Sequence, residues 1–171
     1  LSGKQMGIIG LGTIGKRVAR LAEAFGMNVV YYSTSGKNNT PDFKRVDLNE
    51  LLTSSDIVSI HAPLNENTKN LIGISELKKM PKHAIIINTG RGGIINEHAL
   101  AQAIDEEIIG GAGIDVLTAE PIDINNPLMM VRKSNRLIIT PHIAWTSIEA
   151  RQRLLEGIYE NIKHFISFKN L

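Results

Sequence analysis

The sequence contains no cysteine. That excludes disulfides, thiolate metal sites and a cysteine nucleophile together. It has no apolar run long enough to cross a bilayer, and no secretory leader is visible. An excess of one charge is also missing, since 19 basic and 17 acidic residues leave a formal net charge of +2. A surplus that small argues against a nucleic-acid or anionic-membrane partner. Zero cysteines fit a cytoplasmic protein. Internal repeats and low-complexity stretches are absent. The chain begins at Leu1 without an initiating methionine, and a strand starts within a few residues. This reads as a domain cut from a longer protein.

What is present is an ordinary globular balance: 171 residues, 43% hydrophobic and 21% charged, enough for one domain with a real core. Short apolar runs read as buried strands at Met6–Gly10, "NVVYY", "DIVSI", "AIIIN", "GGAGIDV" and "LIIT". Between them lie helical patterns. Ile14, Val18, Leu21, Ala22 and Phe25 recur at helical spacing, so the spacing predicts that they share a face, with Gly26 ending that helix. Asp47 and Asn96 are N-cap residues for two further helices, the second running through Ile104. "SELKKM" makes a helical turn before Pro81. Thr146 with Glu149 predicts a capping box opening a long amphipathic helix from Ser147 to about Phe168. Strands that alternate with helices and are apolar throughout predict an α/β fold: a doubly wound parallel sheet with helices on both faces, in one domain spanning residues 1–171. The connection at residues 118–135 is long, and loops of that length often carry function.

"IIGLGTIGKRVA" holds Gly10, Gly12 and Gly15 in the spacing G-x-G-x-x-G. The motif alone is weak. Placed after a strand and opening a helix, it is the fingerprint of a Rossmann-type dinucleotide site. Gly10 permits a tight turn, Gly12 a close approach of pyrophosphate, and Gly15 tight helix–strand packing. The amides of Thr13 and Ile14 face the phosphate at the helix N-terminus. An acid about 20 residues further on usually bonds the adenine ribose. Here one more absence matters: residues 25–40 contain no Asp or Glu, and Ser33 stands in the acid's place. Ser33 and Thr34 tolerate either ribose. Lys37 reads equally as a cation for a 2′-phosphate or as a solvated loop residue. The cofactor is therefore NAD or NADP, undecided at this level.

Three polar stretches follow strands. "INTGRGGIINEHAL" carries Arg91, "GIDVLTAEP" carries Asp115 and Glu120, and "ITPHIAW" carries His142. Ligands of open α/β sheets bind outside the carboxyl ends of the strands, so these residues are expected on the cofactor edge. Taken singly, each also reads as an ordinary polar loop residue. His83, His98 and His164 lack such placement. No metal-ligand spacing occurs, so no metal is expected.

In this order and spacing, and with "HAPLNENTKNLIG", these stretches closely resemble the NAD(P)-binding domain of the D-isomer-specific 2-hydroxyacid dehydrogenases, over essentially the whole chain. The glycerate/hydroxypyruvate type is the most similar subgroup. The resemblance implies an oxidoreductase moving a hydride between a nicotinamide cofactor and a small 2-hydroxy or 2-keto acid. It implies Arg91 as the substrate arginine, His142 as the acid/base, and Glu120 as the carboxylate paired with it. It implies cofactor contacts at His61, Ala62, Pro63, Thr68, Thr89, Gly90, Arg91, Asp115, His142 and Ala144, beside the glycines and the ribose residues. It further implies a homodimer formed through this domain, and a separate substrate domain absent here, which would leave the fragment inactive alone. Corepressors of the same fold keep a similar Arg, Glu and His set, so a dinucleotide-sensing scaffold is the alternative.

Overall fold

The computed structural model describes residues 1–37 and 39–169, so Asn38 of the polar tip lies outside it. Seven strands form one sheet: β1 (Gln5–Ile9), β2 (Asn28–Tyr32), β3 (Lys44–Arg45), β4 (Ile57–Ile60), β5 (Ile85–Asn88), β6 (Gly111–Ile114) and β7 (Leu137–Ile139). Their order is β3-β2-β1-β4-β5-β6-β7, and every pairing is parallel. The chain builds outward from β1 in one direction and then returns to build outward from β4. The switch point therefore lies between β1 and β4, where such sheets open a crevice for a ligand.

Register does the positioning. Tyr32, Ile9, Ile60, Asn88, Ile114 and Ile139 pair in one row across the sheet. The next residue on each of these strands is Ser33, Gly10, His61, Thr89, Asp115 and Thr140. Backbone bonds carry the ladder into this row: Gly10 N–H to Tyr32 O, His61 N–H to Ile9 O, Asp115 N–H to Asn88 O, and Thr140 N–H to Ile114 O, all 2.8–3.0 Å.

Side chains alternate across a strand, so neighbours in β1 face opposite layers. Ile9 joins the larger core with Val58, Ile60 and Ile86, packed by α2 (Leu48–Ser54), α3 (Ile74–Leu77) and α4 (Glu97–Asp105) through Leu51, Leu52, Leu77, Leu100 and Ala103. Ile8 joins the smaller core with Tyr31, Phe43 and Ala19 of α1 (Thr13–Ala24). Helices thus cover both faces, as expected. Each fully buried Leu or Ile contributes about 1.5–3 kcal/mol. Asp47 and Asn96 cap as predicted, accepting from Glu50 N and Ala99 N at 2.8 and 2.9 Å. Gly26, at φ 77°, follows α1 in the left-handed conformation of a helix end.

The face of α1 that packs on the sheet is not the one its large apolar residues form. Gly15, Ala19 and Ala22 are buried, whereas Ile14, Leu21 and Phe25 stay exposed at 61–66%. Small residues let the helix lie close on the sheet, and the ridge of large ones points about a quarter turn away. The strand β3 was also not anticipated, because two charged residues at a sheet edge carry no apolar signal. The long connection holds two short 3₁₀ turns, at Pro127–Met130 and Ser134–Arg136.

The chain divides into two compact units, Leu1–Pro141 and His142–Leu171. The second carries α5 (Ile148–Lys169). The expected capping box on Thr146 and Glu149 is not the one formed. Ser147 accepts from Ala150 N at 3.2 Å, while Thr146 donates its hydroxyl to Ile143 O at 2.8 Å. The helix therefore starts one residue later. Its Leu155, Ile158, Tyr159, Ile162 and Ile166 form an exposed apolar stripe at helical spacing.

Candidate functional site

The three glycines of the fingerprint are needed for three different physical reasons. Gly10 has φ 92°, and a Cβ there would lie 2.8–2.9 Å from the backbone of His61 and Ala62. A Cβ on Gly15 would overlap the carbonyl oxygen of Gly10. Both are packing constraints of the fold itself. Gly12 is different: its backbone is extended, and a Cβ there meets nothing within 4 Å. No contact among the described residues requires glycine at that position, so the requirement points outward, to a group approaching the backbone. Gly12 is also the N-cap of α1, with no side chain to cap it and no acid in the first turn. The N–H groups at the helix start are thus available to an anion. Thr13 and Ile14 are exposed beside them.

At the end of β2, Ser33 is 4% exposed and its hydroxyl oxygen has no hydrogen-bond partner among the described residues. An unpaired buried hydroxyl costs about 1–3 kcal/mol, and a ligand group that bonds it removes that cost. Thr34 and Lys37 continue the turn, with Lys37 N–H on Ser35 Oγ at 3.3 Å. A shallow surface hollow lined by Tyr32, Asn39, Arg45, Val46, Asp47 and Glu50 lies next to this tip.

After β4, His61 bonds Ser59 Oγ through Nε2 at 2.9 Å. Burial pushes its imidazole below the ordinary histidine value, which favours the neutral ring. Ala62 is buried against Gly10, and Pro63 is exposed. Thr68 is fully buried; its hydroxyl donates to Pro63 O at 2.7 Å and accepts from Asn65 N at 2.8 Å. With both roles of the hydroxyl used inside the loop, Thr68 shapes the segment that holds Pro63.

After β5, the turn Thr89–Arg91 is braced by the buried Asn88, a residue the sequence reading passed over. Its side chain accepts from Gly90 N at 3.0 Å and donates to Arg91 O at 2.9 Å. Gly90 sits where a Cβ would be 3.2 Å from the carbonyls of Ile60 and Ala62. Arg91 is exposed, with Nη1 on Gly90 O at 2.9 Å. A Cβ on Gly92 would overlap the backbone of Leu117 and Thr118, so the arginine turn lies directly against the loop after β6. That loop carries Glu120, whose Oε1 accepts from Leu117 N at 2.9 Å. Glu97 of α4 holds the same loop by accepting from Thr118 N at 2.7 Å and Asn126 Nδ2 at 2.8 Å.

Asp115 is 4% exposed and accepts the Thr140 hydroxyl at 2.5 Å. Thr140 is a second residue missed earlier. His142 and Ala144 open the second unit, where His142 takes the left-handed φ of 55°.

Within the first unit, register and glycine contacts therefore bring one edge together: the fingerprint, Ser33, Thr34, His61–Pro63, Thr89–Arg91, Asp115 and Glu120. The remaining histidines have other places. His83 bonds Asp56 at 2.7 Å beside the amino ends of the strands, His98 lies in α4, and His164 stacks edge-on with Phe168 at 5.5 Å in α5. Among the described residues, no cluster of potential metal ligands occurs, and no helix is long and apolar enough to cross a membrane.

Residues 1–144 match the family described as D-isomer specific 2-hydroxyacid dehydrogenase, NAD binding domain. A glycerate dehydrogenase from Methylorubrum extorquens is 44% identical over 169 residues, covering 99% of this chain and 52% of its own length. Among solved structures, an acyclic imino acid reductase in complex with NADPH and D-Arg is 37% identical, with a TM-score of 0.89 over 97% of this chain and 52% of that one. An NAD-dependent formate dehydrogenase from Staphylococcus aureus in complex with NAD is 32% identical, with a TM-score of 0.85 over 97% of this chain and 49% of that one. The chain spans about half the length of the curated relatives it matches.

Proposed function

Because the chain belongs to the D-isomer specific 2-hydroxyacid dehydrogenase family through its NAD-binding domain, we propose that the protein carrying it interconverts a D-2-hydroxy acid and its 2-keto acid. Glycerate and hydroxypyruvate are the favoured pair, in line with the similarity to a glycerate dehydrogenase and to a hydroxypyruvate reductase. The observation that carries this reading is the row of strand ends. It sets a dinucleotide cradle, a buried carboxylate and an arginine turn along one edge of the sheet.

The residues present fit a dinucleotide. Gly12 and the uncapped start of α1 suit a pyrophosphate, and the unpaired Ser33 hydroxyl suits a ribose oxygen. Gly10, Gly15, Ala62 and Gly90 shape the crevice. His61, Pro63, Thr89, Asp115 and Ala144 are proposed along the nicotinamide half, with Thr68 behind Pro63. With no carboxylate at the ribose, both NAD(H) and NADP(H) are admitted. Relatives solved with NAD and with NADPH support that breadth.

When bound, the nicotinamide supplies or accepts the hydride. The chain supplies the rest. Arg91 grips the substrate carboxylate with two parallel N–H bonds and polarises the adjacent carbonyl. His142 gives a proton to the carbonyl oxygen and takes it back in reverse. Glu120 is proposed as the carboxylate partner that fixes which ring nitrogen of His142 carries the proton. A homodimer through this domain and a cytoplasmic location complete the proposal. The exposed Ile14, Leu21 and Phe25 support the first, and the absence of cysteine fits the second.

The test is NADH or NADPH oxidation by the full-length protein against a panel of 2-keto acids that includes hydroxypyruvate and glyoxylate. Turnover that is lost in His142→Ala and Arg91→Ala supports the assignment. Tight cofactor binding with silence across the panel favours the dinucleotide-sensing scaffold instead.

A further inference from the structure

One carboxylate straps the loop after β6 to α4. Glu97, half-buried in the first turn of α4, uses both oxygens on residues far along the chain: Oε1 accepts from Thr118 N at 2.7 Å and Oε2 from Asn126 Nδ2 at 2.8 Å. The two anchors bracket Glu120. Asn126 is buried, and its own Oδ1 accepts from Leu128 N at 2.9 Å, at the start of the 3₁₀ turn Pro127–Met130. Its amide therefore faces Glu97 with the NH2 group and cannot turn its oxygen there without losing that bond. Two donors converge on Glu97, so the position calls for a group that accepts at both ends. A carboxylate does this and an amide does not. An acid that served only the helix dipole would lie in solvent at the helix start. It would leave the bonds to residues 21 and 29 positions away without a cause.

We infer that Glu97 is a positioning residue for the proposed reaction: it sets the loop at residues 118–126, and with it Glu120, against the arginine turn. The inference rests on the dehydrogenase reading above and adds the residue that fixes the spacing of two of its working groups. Contacts within the first unit tie the three together. The arginine turn runs into α4 through residues 92–96, and Asn96 N bonds Ile72 O at 2.9 Å, which anchors that segment to the body of the fold. Gly92 of the same segment lies against the backbone of Leu117 and Thr118. Arg91 has a brace of its own in Asn88, which does not involve Glu97. Loss of the Glu97 bonds therefore frees the Glu120 side of the pair and leaves the arginine side in place.

The test is steady-state reduction of hydroxypyruvate by the full-length protein, in the wild type, in Glu97→Gln and in the double variant Glu97→Gln/Asn126→Asp. The single variant sets an NH2 group against one of the two donors. The double variant reverses that bond, because an aspartate accepts from the new amide and still accepts from Leu128 N. Glu97→Gln is expected to lower kcat about ten-fold or more, the scale of a misplaced group in an active site. Cofactor affinity, titrated with NADH and NADPH, and the KM for hydroxypyruvate should stay within about two-fold. The double variant should recover most of the loss. Hydrogen exchange over residues 117–128 should quicken in the single variant and slow again in the double. A merely structural strut would change exchange and urea stability but not kcat, and that outcome overturns the inference. So does a loss of kcat that the double variant does not recover, or one matched by an equal loss of cofactor affinity. Unchanged exchange in Glu97→Gln would remove the strap itself. A folded wild type with no turnover on any 2-keto acid would remove the dehydrogenase reading, and the positioning role with it.

Discussion

Thr140 donates its hydroxyl to Asp115 at 2.5 Å, across a separation of 25 residues, where β6 and β7 end side by side. The bond orients a carboxylate that is almost wholly buried, at the position proposed to face the nicotinamide. Thr140→Val keeps the shape and removes the donor. It is expected to weaken NADH binding about ten-fold, the scale of one hydrogen bond to a charged group, and Thr140→Ser to restore it. Calorimetric titration of the two variants checks this.

The fingerprint glycines separate fold from function. Gly15→Ala drives a methyl group into the Gly10 carbonyl and is expected to cost about 2–4 kcal/mol of stability. Gly12→Ala meets open space on extended backbone. It should unfold within about 0.5 kcal/mol of the wild type yet lose dinucleotide affinity about ten-fold or more, because the methyl occupies the approach to the helix start. Urea unfolding and NADH titration, run on both variants, read the contrast.

Asp56 joins the amino ends of the strands. Its carboxyl accepts from Gln5 N at 2.8 Å, His83 Nε2 at 2.7 Å and Lys4 Nζ at 3.0 Å, and these bonds hold it well below the usual carboxylate range. The stabilisation is complete above the ordinary carboxylate value of about 4. It is lost as pH falls from there towards the lowered folded value, because the unfolded chain takes the proton first. Asp56→Asn is expected to cost about 1 kcal/mol at pH 7, discounted for the exposed partners. Its stability should then fall less than that of the wild type between pH 5 and about 2.5, as measured by urea unfolding.

His61 is lowered by burial and bonded to Ser59. The folded chain therefore resists protonating it, and stability falls as pH drops below the unfolded value of about 6.5. Nitrogen NMR of the His61 ring should show the neutral form persisting below that pH. An imidazole titrating at or above 6.5 would contradict the burial argument.

Much of this edge was legible from residue order. Apolar strands in a parallel sheet announce themselves, and the residue following each is then placed by register. That is why Gly10, Arg91 and Asp115 could be expected on this edge without coordinates, whereas His61 was named through the family resemblance. The misses share a cause. Asn88 and Thr140 act through partners set by folding: a turn brace, and a bond 25 residues back along the chain. Helical spacing likewise grouped Ile14, Leu21 and Phe25 correctly. It could not show that the sheet prefers the adjacent face of glycine and alanine, which allows closer packing.

Calorimetric titration of the full-length protein with NADH and NADPH tests the central claim most directly. The expected result is a saturable complex of one dinucleotide per chain, displaced by ADP and weakened by Gly12→Ala. A flat titration with both cofactors, from protein shown to be folded, would contradict the reading of this edge as a dinucleotide site.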